Sequence, residues 1–283
     1  MSKVRIVADS TCDLSRELIE KYDISILPLC IVMGENSYYD GLETSPEEIF
    51  AWADANKTTP KTAAVTMDKT EEVLAPFMSA GEDIIFFGIS GEMSTTCNVV
   101  RLVGEDKEYS RLFIIDSRNL STGIGLQILR AAELALAGAG AEEIVEAVNK
   151  AKDKVRASFV VDTLTYLARG GRCTAVTALL ANTLKLHPEI VVKDGKMGVS
   201  KKYRGSQDSA LMKYARDLQE DLLQADPAHV FLTHSGCSEE LVDKIYTYLK
   251  ELDYFKEIHI TRAGGVISSH CGPGTLGILF YEK

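Results

Sequence analysis

Residues 84–90 read Ile-Ile-Phe-Phe-Gly-Ile-Ser, an apolar run that ends on a hydroxyl. Seven residues is the length of a buried strand and too short for a buried helix, and turn-forming Gly81-Glu82-Asp83 precedes it. A polar loop follows, and then a helical pattern from about Ser94 to Lys107. The same sentence is written again at 111–117, Arg-Leu-Phe-Ile-Ile-Asp-Ser, followed by a helix from Ser121 to Ala137. Strands that alternate with helices in this way imply βαβ units and a mainly parallel sheet.

The pattern extends toward the N-terminus. Val4–Ser10 reads as the first strand, with Asp13 or Ser15 capping a helix that ends near Tyr22. Ile24–Val32 is a near-continuous apolar run, read as a second buried strand closed by Gly34-Glu35-Asn36. Ser45-Pro46-Glu47-Glu48 combines a cap, a proline at the first helical position and a capping-box glutamate. Further helices are expected from Thr66 to Ala80 and from Glu142 to Val155.

The second half reads differently. Glu189–Arg204 is two strands joined by Asp194-Gly195, a hairpin signal. An apolar helix is expected at Ala175–Leu184, others at Ser206–Gln224 and Ser238–Leu252, and strands at 229–234, 257–263 and 275–282. The expected fold is therefore α/β in two lobes. A mainly parallel N-terminal sheet domain spans 1–157 and a mixed-sheet C-terminal domain spans 158–283, with a ligand site in the cleft between them.

Composition excludes several function classes. The formal charge of -10 opposes a phosphate backbone, which argues against a DNA-binding regulator. No stretch approaches 18 consecutive apolar residues and the N-terminal residues show no apolar leader, so stable membrane insertion is not expected and the location is read as cytoplasmic. The six cysteines are scattered without zinc-ligand spacing and read as small buried hydrophobes, so no metal is expected. Walker, GxGxxG, GxSxG and HExxH motifs are all absent.

Chemistry is left to hydroxyls at strand ends, one histidine and one arginine pair. Ser10-Thr11, Ser90, Ser94-Thr95-Thr96 and Ser117 follow strands, where ligand loops of an open α/β sheet converge. Ser94–Thr96 is either an ordinary helix cap or an anion site beside free N–H groups. His270, immediately before Gly272-Pro273-Gly274, is either a satisfied structural imidazole or a donor, base or ligand. Arg169 and Arg172 flank Gly170-Gly171, either as a solvated turn or as a pair of placed cations. Ser94, His270 and Asp116 could also form an improvised serine-hydrolase triad, and a small-molecule phosphotransferase in the same cleft is a further alternative.

Four motifs in order carry a resemblance. Asp9-Ser10-Thr11-Cys12-Asp13-Leu14 opens the series, followed by Asp116-Ser117 with Ser121, Gly123 and Gly125. Asp162-Thr163-Leu164 then leads through Tyr166-Leu167 to Gly170-Gly171-Arg172, and His270-Cys271-Gly272-Pro273-Gly274 closes it. Together they resemble the DegV family of bacterial fatty-acid-binding proteins. Two stretches depart from the family pattern: Thr62-Ala63-Ala64-Val65-Thr66 stands where T-S-Q-P-S is usual, and Met93-Ser94-Thr95-Thr96 where L-S-G-T is usual.

The resemblance implies a non-enzymatic, cofactor-free protein that encloses one long-chain fatty acid. Its partner would be a separate fatty acid kinase subunit that forms acyl-phosphate for phospholipid synthesis. Carried onto this chain, it implies carboxylate contacts from Thr62, Ser94 and His270, with Thr95 and Thr96 beside them, and a basic Arg172 near the pocket mouth. Lys201, Lys202 and Arg204 are read here as a kinase-docking surface. Leu27, Leu29 and Ile31, with Val176, Leu179 and Leu180, are read as walls of the tail tunnel.

Overall fold

In the computed structural model, which describes residues 3–173 and 186–283, the run at 84–90 forms a strand as far as Gly88, and its Ile84–Phe87 side chains are wholly excluded from solvent. Thirteen strands occur among the described residues. They are β1 (Val4–Asp9), β2 (Ser25–Leu27), β3 (Cys30–Met33), β4 (Asn36–Tyr39), β5 (Lys61–Ala63), β6 (Asp83–Gly88) and β7 (Leu112–Asp116). The later ones are β8 (Val155–Val160), β9 (Leu186–Lys193), β10 (Lys196–Arg204), β11 (Ala225–Ser235), β12 (Glu257–Arg262) and β13 (Thr275–Glu282).

The first sheet is parallel, in the order β2-β1-β6-β7. Alternation along its strands separates two faces. Val7, Ile84 and Phe86 pack with Leu74 and Val100 on one side. Ile6, Ala8, Ile85 and Phe87 pack with Ile124 and Ile128 on the other. Both faces are covered, which is why the strands read as continuous apolar runs. The second sheet is mixed, in the order β10-β9-β8-β13-β11-β12, with β11 and β12 its parallel pair.

A central helix, Thr122–Leu136, lies between the two sheets and is apolar on nearly every side. Its Ile124, Ile128 and Leu129 share one core with Phe87 of the first sheet and Phe159, Phe231 and Leu279 of the second. Each such fully buried side chain contributes about 2 kcal/mol. The 157/158 boundary falls inside β8, which pairs with β13 from Val155 onward. The loop after β6 is also tied to the hairpin of the other lobe, where Ser90 Oγ donates to the Gly195 carbonyl at 2.7 Å. Asp194 and Gly195 both take positive φ (52° and 78°), as a two-residue hairpin turn requires.

Several local expectations are met closely. Ser15 caps Arg16–Lys21, Thr66 caps Met67–Ser79, and Ser45 forms the full capping box on Pro46–Asn56. Others are corrected. Ile24–Val32 is not one strand: Pro28, which has no N–H to donate, separates β2 of the parallel sheet from β3. β3 instead pairs with β4 and β5 in a third, antiparallel sheet that was not expected. The expected helix 206–224 is two, Gln207–Asp217 and Gln219–Gln224, meeting at Leu218. Finally, the helix expected to run to Val155 ends at Ala151, and Val155 opens β8; His270, expected immediately before a turn, stands in the last turn of a short helix, Gly265–Cys271, that leads into that turn. The glycine, β-branched residues and serines of that helix are poor helix formers, so tertiary contacts hold it. The expected helix 175–184 lies outside the described residues.

Cys12, Cys30, Cys97, Cys173 and Cys271 are buried and Cys237 half-buried, and among the described residues no two of them form a disulfide. Among the described residues, no helix is long and apolar enough to cross a membrane.

Candidate functional site

Three aspartates at or near the carboxyl ends of strands fasten the loops that build the site. Asp9, the last residue of β1, accepts from the Thr11 N–H at 3.0 Å and the Ile89 N–H at 2.7 Å. It therefore holds the start of the loop that carries Ser94. Asp13 accepts from Ser121 Oγ at 2.5 Å and the Gly264 N–H at 2.8 Å, joining the head of the central helix to the head of the His270 helix. Asp40 accepts from the Gly265 N–H at 2.8 Å and Ser10 Oγ at 2.7 Å. Burial pushes all three carboxyls above their usual range, Asp9 up to about 6, against the pull of these hydrogen bonds.

On this frame Thr62 from β5, Ser94 from the loop after β6 and His270 converge on one cavity of about 50 Å³. Met93, Leu29 and Ile267 supply its apolar wall, and Arg172 stands beside it, exposed. Thr62 Oγ1 and His270 Nε2 are 2.7 Å apart, while His270 Nδ1 is buried with no hydrogen-bond partner among the described residues. A Cβ at Gly170 would lie 2.3 Å from that Nδ1, so the imidazole can occupy this place only against a glycine. Burial, and then the Arg172 guanidinium, lower the His270 pKa to about 4, which keeps the ring neutral at pH 7.

Arg172 is anchored through its own neighbourhood, with Nη1 donating to the Gly170 carbonyl at 2.9 Å. Among the described residues it has no ion-pair partner. Ser94 Oγ and Thr96 Oγ1 lie 2.9 Å apart. Thr96 is fully buried behind Ser94, whereas Thr95 is exposed at the head of the helix Thr96–Asp106 and does not line the cavity.

A second cavity of about 20 Å³ continues inward between the sheets, walled by Phe159, Thr233, Leu279 and the central-helix approach. Leu120, Ile267 and Cys271 line both cavities, so the two mark one path. Pockets that accept whole ligands run to about 300 Å³ and more, so an elongated guest requires the walls to part. Met93 and Met197, unbranched and adaptable, stand in that wall. A larger groove of about 460 Å³ lies elsewhere, lined by charges of both signs such as Arg118, Asp153, Glu189 and Lys201 together with apolar residues such as Val191 and Phe280.

The remaining expected positions are dispersed. Leu29 lines the cavity, but Leu27 and Ile31 lie in the core with Val7, Leu74 and Phe86. Val176, Leu179 and Leu180 lie outside the described residues. Lys201, Lys202 and Arg204 are exposed along β10, Lys201 within 3.7 Å of Asp217. The triad is not assembled: Thr62 occupies His270 Nε2, and Asp116 accepts from the Gly91 and Arg118 N–H groups at 3.2 and 2.8 Å.

Sequence reasoning missed the fastening role of Asp9, Asp13 and Asp40. An aspartate closing the apolar run Ile6-Val7-Ala8, as Asp9 does, was the available signal. The tail-side walls Leu120, Met197 and Ile267 come from three separate segments and carry no common signal.

The fold and cavity define a class: two α/β layers that enclose an apolar path, headed by neutral hydrogen-bond donors with one cation outside. Residues 3–283 match the family described as "Uncharacterised protein, DegV family". A DegV domain-containing protein of Clostridium perfringens is 30% identical over 285 residues, covering all of both chains. Among solved structures, a fatty-acid-binding DegV family protein from Thermus thermophilus superposes with a TM-score of 0.90 at 26% identity, over the whole of both chains. A stearic acid-binding protein from Eubacterium ventriosum gives 0.86 at 28% identity, covering 100% of this chain and 99% of the other. The chain belongs to the DegV family.

Proposed function

We propose that this protein binds one long-chain fatty acid, with its carboxylate at Thr62, Ser94 and His270 and its tail along the path past Leu120 and Ile267 toward Phe159 and Leu279. The observation that carries this reading is the convergence of those three donors, from a strand, a loop and a helix, on one apolar-walled cavity. The fatty-acid ligands of the Thermus and Eubacterium proteins agree with it.

The tail supplies the affinity. Burying some 14 methylenes at about 0.8 kcal/mol each yields roughly 11 kcal/mol gross, less the cost of ordering a flexible chain. The head group is oriented by a short relay. A buried N–H without a partner costs more than a buried lone pair, so the His270 proton resides on Nε2 and is donated to Thr62 Oγ1. The Thr62 hydroxyl proton is then free to face a carboxylate oxygen, with Ser94 as the second donor. A carboxylate held by hydroxyls stays nucleophilic, because no buried cation neutralises it.

The same geometry suits presentation to a separate fatty acid kinase. The protein has no catalytic task in this scheme. The exposed Arg172 borders the carboxylate, placed to meet the transferring phosphoryl group or the partner, and Lys201, Lys202 and Arg204 extend the basic surface along β10.

Native mass spectrometry of protein purified from a bacterial host should reveal one bound C14–C18 fatty acid. Ligand-free protein that takes up neither palmitate nor oleate would overturn the proposal. Arg172→Ala should leave fatty-acid loading intact while lowering acyl-phosphate formation by a cognate kinase about tenfold or more; unchanged turnover removes Arg172 from that role.

A further inference from the structure

At the opposite edge of the mixed sheet, two histidines and two glutamates converge. β11 and β12 are parallel neighbours in the register His229↔Glu257 and Phe231↔His259. The two-residue period therefore puts His229, Glu257 and His259 on one face, toward the C-terminal half of the central helix. Glu133 reaches them from that helix, its Oε1 2.9 Å from His229 Nε2. On the other side of the ring, His229 Nδ1 lies 3.1 Å from His259 Nε2. Glu257 Oε2 lies 3.8 Å from the former and 3.5 Å from the latter.

Two nitrogens and a carboxylate oxygen thus form a triangle with edges of 3.1, 3.5 and 3.8 Å. Ligands about 2.05 Å from a tetrahedral ion are separated by about 3.3 Å, so the triangle has the dimensions of one face of such a coordination sphere. We propose that His229 Nδ1, His259 Nε2 and Glu257 Oε2 bind a divalent transition-metal ion of the zinc class, with Glu133 as the outer carboxylate that orients His229.

The outer contact matters as much as the triangle. By accepting the Nε2 proton of His229, Glu133 fixes the tautomer that turns the Nδ1 lone pair toward the other two ligands. His259 is supported by its stacked neighbour Phe231, whose ring centroid is 4.7 Å away. Both imidazoles are largely buried, with side chains 11% and 13% exposed, whereas Glu257 is 46% exposed and leaves an entry path and a fourth position for water. Imidazole and carboxylate donors suit zinc, cobalt, nickel or copper and not calcium or magnesium. The competing occupant is a single proton on His259 Nε2, shared with His229 Nδ1 and Glu257.

Tag-free protein, stripped with chelator, should take up one equivalent of zinc at pH 7 by calorimetry. Cobalt should give the intense visible absorption of a four-coordinate N/O site without thiolate charge-transfer bands. His259→Ala should abolish both signals. Glu257→Gln, on the exposed ligand, should weaken zinc at least tenfold even if the histidine variant folds poorly. Glu133→Gln should cost 10- to 100-fold, as outer-shell partners do. No uptake of either metal would leave the proton as the occupant and overturn the proposal. Stoichiometry and spectrum unchanged by Glu257→Gln and His259→Ala would place the metal elsewhere and overturn it equally.

Discussion

The two layers of the candidate site are built from opposite chemistry. The layer that faces the cavity is made of groups neutral at pH 7: Thr62, Ser94 and a His270 whose pKa is lowered to about 4. The layer behind it is made of carboxylates, Asp9, Asp13 and Asp40, whose oxygens accept from loop N–H and hydroxyl groups. Acids at the front would repel a carboxylate guest, while hydroxyls at the back could not each bridge two segments as firmly. The candidate site thus keeps its carboxyl groups behind the loops they fix and turns neutral donors toward the cavity.

This contrast can be broken from the back first. Asp13→Ala removes the acceptor for both Ser121 and Gly264, and should destabilise the protein by about 3 kcal/mol, the cost of two buried donors left unmet. Urea unfolding measures it; a midpoint equal to wild type would mean the rear carboxylates do not hold the loops.

The next effect is of similar size and appears only in acid. His270 has a folded pKa below its unfolded one, so between about pH 6.5 and 4 the unfolded chain binds the extra proton and stability falls with pH. The full shift corresponds to on the order of 3 kcal/mol. Asp9, raised to about 6, has the opposite sign: its folded form takes up the proton, and its contribution is lost as pH rises through 6. His270→Asn should therefore flatten the acid limb of the stability curve, and Asp9→Asn should steepen it. Parallel curves for both variants and wild type would show that neither group is perturbed by burial.

The smallest effects are at the front. Ser94→Ala should leave the urea midpoint within about 0.5 kcal/mol of wild type and weaken fatty-acid binding about tenfold, the worth of one hydrogen bond to a charged group. Thr95→Ala, one residue away and exposed, should change neither. Equal losses from the two variants would dissolve the distinction between a lining and a neighbouring hydroxyl.

Much of the architecture was legible because single segments carried it: apolar runs for β1, β6 and β7, the capping box at Ser45 and the Asp194-Gly195 turn. What failed to be read depended on contacts between segments. Pro28 turns one apolar run into strands of two sheets, and the His270 helix exists because Asp13 and Asp40, more than 200 residues away in sequence, accept its first N–H groups. The site divides in the same way. Thr62, Ser94 and His270 carry polar groups that stand out in the sequence, but Leu27, Leu29 and Ile31 are chemically alike. Only the three-dimensional packing separates the one that lines the cavity from the two that fill the core.

The central helix has a final consequence for how this chain can be cut. Its first eight residues, Thr122–Leu129, are all buried, with the parallel sheet on one side of the helix and β8, β11 and β13 on the other. A fragment ending before β8 would carry the helix with half of its apolar surface in water, and the complementary fragment would lack the surface its sheet was made to cover. The two lobes are therefore unequal to independent life: they are halves of one folding unit, and should be expressed, truncated or transplanted only together.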